Sequence, residues 1–490
     1  MNKLLKYILA NHKNQTNNVS IIDKNGSFTW DELITYSNTI ANKLLKTNID
    51  KQDCVSIELP NTKEFVAGII ACQIIGAVYV PVGTLYPQER INLIHKDCNV
   101  KTVINSDFLQ DIELNCKEKI TPVDKNGNDI EMIIFTSGST GKPKGVIHTV
   151  ESLSESIIDT AFWSPLNFKE NDRFGNVAPM SSILGILGCL STIITKENNV
   201  RLYLISETQL KGPTEFLDFF VSNNITKTAL NADLTKLFNY AKTSIKSIYV
   251  GGGICRSCYL NDIEIFNGFG TSELGGACTT FTVDKPYPNT PIGKCFPRFN
   301  MYILDENNNL TDEGELCFSG PLALGYLNNI DETEKSFIDN PFKSKDGHNR
   351  MFKTGDIAKR DKDGNIYIVG RKDFMVNING NRVELEEIEY QINQIPGILK
   401  SAVQYINKGT QNFLVAYVES KETIEDKLLK KQLAKNLPSY MIPKLWIKID
   451  RIPTLPNNKI DRLSLPEFKR ENFLKWQTKI KIQNKNLLKQ

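Results

Sequence analysis

The chain has 490 residues and nearly balanced charge, with 59 Lys and Arg against 56 Asp and Glu, which gives a net charge of +3. That length exceeds one ordinary domain, because domains usually contain about 100–200 residues. With 40% hydrophobic and 23% charged residues the composition excludes a disordered chain, and a pI of about 8.1 is below that of a dedicated nucleic-acid binder. We expect a globular protein of two or more domains without a nucleic-acid partner.

The N-terminal segment predicts a short amphipathic helix rather than a signal peptide. Leu4, Leu5 and Ile8 recur at helical spacing, and the apolar run is too short for a signal sequence. No stretch approaches the roughly 20 apolar residues of a membrane span. The ten cysteines are scattered, and even the close pair Cys255 and Cys258 is predicted to be free thiols in a reducing compartment. These features predict a cytoplasmic protein with no membrane partner.

The next elements alternate between helix and strand. Thr29 and Glu32 form a capping-box pattern ahead of an amphipathic helix. An apolar strand at 54–59, a helix at about 64–75 and a second strand at 77–82 follow in that order. A strand, helix, strand order implies parallel pairing with a crossover helix, so the fold class is predicted to be α/β.

A buried strand at 132–135 ends in the loop 136–145, which contains three glycines, hydroxyl residues and two lysines. Backbone N–H groups, hydroxyls and lysines together suit a polyphosphate ligand. The loop lacks the Walker A pattern because Pro143 follows Lys142 and position 136 is not glycine. Taken alone, such a loop is also compatible with an ordinary turn.

Four further blocks follow that loop in order, at 267–273, 353–356, 370–384 and 456–462. Together with the loop they resemble the motifs of the adenylate-forming superfamily, which includes acyl- and aryl-CoA ligases, luciferases and adenylation domains of nonribosomal peptide synthetases. The sequence departs from that pattern at Asn377, where many relatives have Lys, and at Asn458, where they have Gly. The resemblance covers nearly the whole chain.

The resemblance implies a large N-terminal domain at 1–372, with parallel sheets packed by helices, that binds ATP and the acid. A hinge at Asp373 and a small mobile α+β C-terminal domain at 374–465 would follow, with a tail at 466–490. The small domain would carry the catalytic Lys459 and rotate between two half-reactions.

The resemblance also implies where ATP and Mg²⁺ bind. The implied ATP-binding residues are Thr136, Ser137, Gly138, Ser139, Thr140, Gly141, Lys144, Asn267, Gly268, Phe269, Gly270, Thr271, Ser272, Asp356 and Arg371. Lys144 would hold the β- and γ-phosphates with the loop hydroxyls, and Glu273 would coordinate Mg²⁺, a cation that favours carboxylate oxygens. Lys459 would bridge the substrate carboxylate and the α-phosphate, so Lys459, Lys144 and Glu273 are the implied catalytic residues.

The nucleoside would contact three of these residues. Phe269 would pack on the adenine face, Asp356 would accept hydrogen bonds from the ribose hydroxyls, and Arg371 would support the ribose or the phosphate.

The acid substrate is predicted from the segment 178–185, which contains no acidic residue. Relatives that activate α-amino acids place an Asp there to pair with the ammonium group, whereas here Ser182 stands at the His position of CoA ligases. A buried ammonium without a counter-ion is costly, so we predict an aryl or other small acid that lacks an α-amino group. The predicted pocket residues are Ser182, Ala229, Tyr249, Gly251, Gly252, Gly268, Gly276 and Ala277.

The implied activity is activation of the acid to an acyl-adenylate, with release of pyrophosphate, and transfer to the phosphopantetheine thiol of a separate carrier protein. Alternatives are an acyl- or aryl-CoA ligase, a stand-alone enzyme for an α-amino acid, and a non-catalytic homologue that only binds nucleotide or an acyl group. Retention of Lys144, Glu273, Asp356 and Lys459 favours an enzyme over the non-catalytic homologue.

Overall fold

The computed structural model describes residues 2–112, 119–137, 142–163, 167–206, 208–210, 212–253, 255, 258–342, 348–372, 375–378, 380–408, 411–420, 425–454 and 460–466. The chain divides into two compact units. The large unit contains Met1–Tyr86, Ile91–Thr136 and Pro143–Arg382, and the small unit contains Pro87–Arg90, Ser137–Lys142 and Val383–Gln490. The predicted mixed α/β architecture is confirmed.

The large unit contains a nine-stranded sheet with a parallel central region. Its strands, in spatial order, are Lys294–Cys295, Thr279–Val283, Glu264–Asn267, Ser247–Val250, Lys227–Leu230, Arg173–Asn176, Arg201–Leu204, Val19–Asp23 and Gly26–Thr29. The six strands from Glu264–Asn267 to Val19–Asp23 run parallel, and antiparallel strands close both edges. Carboxyl ends of neighbouring parallel strands therefore meet along one edge of the sheet.

A six-stranded sheet of the same unit contains the two strands that flank the predicted phosphate loop. Its strands, in spatial order, are Gly325–Tyr326, Lys144–Thr149, Ile130–Thr136, Val78–Pro81, Cys54–Ile57 and Thr102–Ile104. The strands Cys54–Ile57 and Val78–Pro81 pair in parallel, as the sequence predicted. Ile130–Thr136 and Lys144–Thr149 pair antiparallel, with Thr136 opposite Lys144, so the loop is the connection of a hairpin.

The large unit also has a five-stranded sheet and a short two-stranded ribbon. The five strands are Asn300–Leu304, Glu313–Ser319, Arg350–Arg360, Phe337–Asp339 and Ile366–Arg371, and the last pairs with Arg350–Arg360. The ribbon pairs Gly270–Thr271 with Gly276–Ala277. A hairpin of Met375–Ile378 and Asn381–Glu384 contains the boundary between the units.

Helices cover the sheets of the large unit. They are Lys3–Gln15, Trp30–Lys46, Lys63–Ile75, Gln88–Cys98, Ser106–Leu109, Val150–Trp163, Ile183–Ile194, Pro213–Ser222, Ala232–Thr235 and Ile330–Ser336, with 3₁₀ turns at Lys236–Tyr240 and Ser272–Leu274. Trp30–Lys46 begins with the predicted capping box, in which Thr29 Oγ1 accepts from Glu32 N–H and Glu32 Oε2 accepts from Thr29 N–H. In the described ranges no helix is long and apolar enough to cross a membrane.

The small unit is built on a three-stranded sheet of Ile398–Lys408, Gln411–Ser420 and Leu445–Ile449. The helices Leu385–Asn393 and Asp426–Leu433 and the 3₁₀ turns Ser439–Met441 and Arg462–Ser464 complete its secondary structure. The predicted hinge residue Asp373 and most of the predicted tail lie outside the described residues. The contact boundary between the units falls between Arg382 and Val383.

One cysteine prediction is wrong. The structure pairs Cys255 and Cys258 as a disulfide, and both residues are buried, whereas the sequence favoured free thiols. Their separation of three residues allows the two sulfur atoms to meet in one turn of chain.

Candidate active site

The predicted metal ligand, Glu273, lies in the 3₁₀ turn Ser272–Leu274, and its side chain is buried. The Tyr326 hydroxyl donates to Glu273 Oε1 at 2.8 Å, and one guanidinium nitrogen of Arg382 lies 2.9 Å from both carboxylate oxygens. Burial acts to raise the pKa of this carboxyl, but the charge of Arg382 and the Tyr326 hydrogen bond hold the pKa below its usual value. Glu273 is therefore a buried, ionised carboxylate.

A buried histidine supports the backbone beside Glu273. His148 Nε2–H donates to the carbonyl of Ser272 at 2.7 Å. Burial lowers the pKa of His148 to about 4, so the imidazole is neutral at neutral pH. The neutral ring fixes the turn that carries Glu273 without adding positive charge.

Lys144 lies at the start of the strand that follows the predicted phosphate loop, and it is buried. Its Nζ lies 3.0 Å from Glu332 Oε1 and 5.4 Å from the ring centroid of Tyr326. Tyr326 therefore contacts both predicted charged residues: Lys144 lies over its ring, and Glu273 accepts a hydrogen bond from its hydroxyl.

The phosphate loop is described only at its ends. Thr136 Oγ1 is buried and has no hydrogen-bond partner among the described residues, and Ser137 Oγ accepts from Glu384 N–H at 3.1 Å within the small unit. Four residues predicted to bind phosphate, Gly138, Ser139, Thr140 and Gly141, lie outside the described residues. The predicted catalytic Lys459 lies outside them as well.

The three residues predicted to contact the nucleoside form two pairs with their neighbours in the structure. Phe269 stacks on Phe318 with ring centroids 5.4 Å apart and planes inclined by 9°. Asp356 and Arg371 are opposite each other in paired strands, and Arg371 Nη1 lies 2.9 Å from Asp356 Oδ1. Asp356 is 8% exposed. This arrangement offers one aromatic ring and one buried carboxylate that is paired with an arginine.

The remaining residues of the 267–273 block serve the backbone. Asn267 Nδ2 donates to the Pro291 carbonyl at 2.8 Å. Gly270 cannot carry a side chain without movement, because a Cβ there would lie 2.1 Å from the Gly276 carbonyl. Thr271 and Ser272 lead into the Glu273 turn. These four residues support the elements that position Phe269 and Glu273.

An apolar cavity lies in the large unit between the helices Val150–Trp163 and Ile183–Ile194 and the central parallel strands of the nine-stranded sheet. Its lining residues are Thr160, Phe174, Leu184, Leu187, Gly188, Ser191, Ala229, Tyr249 and Ala277. The Thr160 and Ser191 hydroxyls of this lining donate to the backbone of their own helices, at the carbonyls of Ser156 and Gly188. Among the described lining residues none is acidic.

Three of the predicted pocket residues line this cavity, namely Ala229, Tyr249 and Ala277. Two more predicted residues contact the lining from outside the cavity. A Cβ on Gly268 would lie 1.7 Å from Tyr249 Oη, and a Cβ on Gly276 would lie 2.7 Å from Leu187 Cδ2. Tyr249 itself is fixed, because its hydroxyl donates to the Thr279 carbonyl at 2.6 Å and burial holds its pKa well above the usual value.

The other three predicted pocket residues are not part of the cavity lining. Ser182 caps the helix Ile183–Ile194, where its hydroxyl accepts from Gly185 N–H and donates to the Pro179 carbonyl. Gly251 follows the strand that ends at Val250, and Gly252 turns the chain with φ at +77°.

Several site residues were missed from the sequence. Tyr326, Glu332 and Arg382 contact the predicted charged residues, and His148 supports them. Arg382 lies within the 370–384 block, so the motif could have identified it as a site residue. The residues from Leu184 to Ser191 that line the cavity have the apolar pattern of a buried helix. That pattern does not distinguish residues that line a pocket from residues that fill the core.

Comparison with known proteins identifies the class. Residues 9–327 match the family described as AMP-binding enzyme, and the chain belongs to that family. The adenylate-forming, AMP-binding class that the sequence motifs predicted is thereby confirmed.

The chain is similar to individual proteins of known sequence or structure. The chain is 32% identical over 479 residues to bacitracin synthase 3 of Bacillus licheniformis, covering 91% of this chain and 7% of that protein. It thus spans a small part of the length of that relative. An artificially fused adenylation–PCP di-domain of NpsA and ThdA from Klebsiella oxytoca is similar with a TM-score of 0.79 and 21% identity, covering 90% of this chain and 93% of the other. The o-succinylbenzoate CoA synthetase of Bacillus subtilis gives a TM-score of 0.81 at 20% identity, covering 94% and 98%.

Proposed function

We propose that this chain activates a carboxylic acid with ATP, releases pyrophosphate, and transfers the acyl group from the acyl-adenylate to the thiol of a carrier protein. The observation that supports this most is that Tyr326 contacts both Lys144, which lies over its ring, and Glu273, which accepts from its hydroxyl. Attack of the acid on the α-phosphate requires neutralisation of charge on the pyrophosphate leaving group. Lys144 is the described cation that would do so.

The donor set at Glu273 fits a hard divalent cation, because its carboxylate is ionised and buried beside a predicted phosphate-binding residue. Mg²⁺, when bound, supplies positive charge to the phosphate oxygens of the nucleotide. In the proposal Glu273 holds that ion, Tyr326 orients the carboxylate, and His148 fixes the turn. Phe269 and Asp356 would bind the adenine and the ribose, as the sequence predicted.

We further propose that the acid lacks an α-amino group and binds in the apolar cavity. The lining offers no described carboxylate to an ammonium group, and its hydroxyls donate to backbone carbonyls. Asp159, beside the lining residue Thr160, is paired with Arg298. An aryl or other small apolar acid matches the wall that Phe174, Leu184 and Tyr249 provide.

The carrier protein is proposed as the acceptor because the chain is similar to a bacitracin synthase and to an adenylation–PCP di-domain. The likeness to a CoA synthetase keeps coenzyme A as the other acceptor to be tested.

The test is ATP–pyrophosphate exchange with a panel of aryl acids, short fatty acids, β-amino acids and α-amino acids. We expect exchange with an aryl or aliphatic acid, and loss of it in Lys459→Ala with nucleotide binding retained. Lys427→Ala is the matched control, because Lys427 is an exposed lysine on the helix Asp426–Leu433. Exchange with an α-amino acid would contradict the substrate assignment. If no acid supports exchange, the proposed enzymatic activity is contradicted.

A second arm identifies the acceptor. Acyl transfer from the preformed adenylate is followed to coenzyme A and to phosphopantetheinylated carrier proteins. Transfer to coenzyme A alone would contradict the carrier assignment.

A further inference from the structure

The cavity proposed for the acid has three hydroxyls in its lining, and all three have used their hydrogen. Thr160, Ser191 and Tyr249 each donate to a backbone carbonyl, at 3.1, 3.3 and 2.6 Å respectively. The other described side chains of the lining are apolar. A hydroxyl has one donor hydrogen and two acceptor lone pairs, so a hydroxyl whose hydrogen is used can still accept. The side chains of this wall therefore accept hydrogen bonds and have none to donate.

The hydroxyls of Thr160 and Ser191 lie one helical turn beyond the segment 274–276, which directly follows the predicted metal ligand. In the helix of Thr160, the residue four positions earlier is Ser156, whose hydroxyl donates to two carbonyls of that segment. In the helix of Ser191, the residue four positions earlier is Leu187, which a Cβ at position 276 would meet at 2.7 Å. Four helical residues rise by about 6 Å. The two hydroxyls thus lie on the part of the cavity wall that is farther from the predicted metal ligand.

We propose that the acid carries a neutral hydrogen-bond donor, a hydroxyl or an aromatic amine, at the end opposite its carboxylate, and that Thr160 and Ser191 select it by accepting its hydrogen bond. This inference rests on the proposed function, because it takes the cavity as the acid site. A donor on the acid exchanges its hydrogen bond with water for one with a protein oxygen. A group that only accepts finds no donor among the described side chains of the wall, so its removal from water is not compensated.

The same wall disfavours the reversed orientation of the acid. A carboxylate only accepts hydrogen bonds, so it finds no donor at Thr160 or Ser191 and is directed to the other end of the cavity. An ammonium group would donate, but the described lining has no carboxylate to balance its charge. A neutral donor is thus the polar group that suits this wall.

The first test uses the wild-type protein in ATP–pyrophosphate exchange with sets of matched acids. Each set contains an unsubstituted acid that supports exchange and its fluoro and hydroxy derivatives, substituted away from the carboxylate, and each aryl set also contains the amine. Fluorine is small and does not donate a hydrogen bond, so it separates bonding from fit. We expect kcat/KM for the best hydroxy or amino derivative to exceed that of the matching fluoro derivative by about tenfold or more. Equal values would overturn the proposal.

The second test assigns this preference to the two residues. Thr160→Val and Ser191→Ala each remove one acceptor, so each should lower the ratio of kcat/KM for the hydroxy derivative to that for the fluoro derivative by about threefold. Thr160→Ser keeps the acceptor and should retain the ratio. Thr192→Val is the matched control, because Thr192 is buried on the helix of Ser191 and makes the same kind of hydrogen bond, to Gly188 at 2.7 Å, but lies outside the cavity lining. A ratio that survives in the double variant Thr160→Val with Ser191→Ala would refute the assignment.

The outcomes separate this inference from the proposed function. If no acid supports exchange, the proposed activity fails and this inference fails with it. If acids support exchange but a hydroxyl gives no advantage over fluorine in any set, the activity stands and the inference alone is refuted.

Discussion

Acidification should destabilise the protein through His148, the buried imidazole beneath the Glu273 turn. Its pKa is about 4 in the folded chain against 6.5 when unfolded, because burial disfavours the charged ring. Between these values the unfolded chain binds more protons, so the free energy of unfolding falls as the pH drops from 6.5 towards 4. The whole gap corresponds to about 3.4 kcal/mol, and about 2 kcal/mol of it is lost by pH 5.0.

The assay compares His148→Gln with wild type in urea unfolding followed by tryptophan fluorescence, at pH 7.5 and at pH 5.0. Glutamine retains an N–H near the Nε2 position that can donate to Ser272, but it does not titrate. We expect wild type to lose about 2 kcal/mol more than the variant between the two pH values. Other acid-sensitive groups cancel in this difference, and His348→Gln controls for loss of an imidazole as such. Equal losses in wild type and His148→Gln would refute the reasoning.

Two further predictions concern the cavity and the phosphate-binding lysine. Gly268→Ala would place a Cβ 1.7 Å from Tyr249 Oη, so acid-dependent exchange should fall by about 100-fold or more, whereas Gly68→Ala, with its nearest atom at 3.5 Å, should leave exchange unchanged. Retained exchange in Gly268→Ala would exclude that wall from the acid site. Glu332→Gln should free Lys144 for phosphate and tighten the nucleotide about two- to fivefold in fluorescence titrations, and weaker binding would show that Glu332 assists rather than competes.

The local parts of the fold were predictable because their determinants are close in sequence. Thr29 and Glu32 are three residues apart, and their reciprocal hydrogen bonds begin the helix where the pattern places it. The parallel pairing of the strands at 54 and 78 follows from the crossover helix between them. Such elements depend on spacing and periodicity, and both are visible in one sequence.

Partner choice within the site was not predictable in the same way. Glu273 meets Tyr326 across 53 residues and Arg382 across 109 residues. Which cation or hydroxyl reaches a buried carboxylate depends on the packing of whole sheets, and no spacing rule encodes it. The motif marked Glu273 as a ligand, but its present partner became visible only in the structure.

The cavity is a second feature that the sequence alone did not predict. Leu184 and Leu187 lie in an apolar helix whose pattern indicates burial. Core and pocket require the same apolar residues, and they differ only in whether a neighbour fills the space opposite. Glycine and alanine at 188, 229 and 277 leave that space open. Ser182 was assigned to the pocket by its place in a motif, yet its hydroxyl satisfies the first turn of the helix.

The charges of the site explain why a buried acid and a buried lysine can coexist before substrate binds. An ion removed from water requires a partner at all times, and Glu273 and Lys144 each have one, in Arg382 and Glu332. A metal–nucleotide complex brings both kinds of charge at once, cations for the carboxylate and phosphates for the lysine. The affinity for nucleotide then depends on the difference in free energy between the internally paired state and the ligand-paired state. A variant that removes one internal partner should therefore strengthen only the interaction that the remaining ion of that pair makes with the ligand.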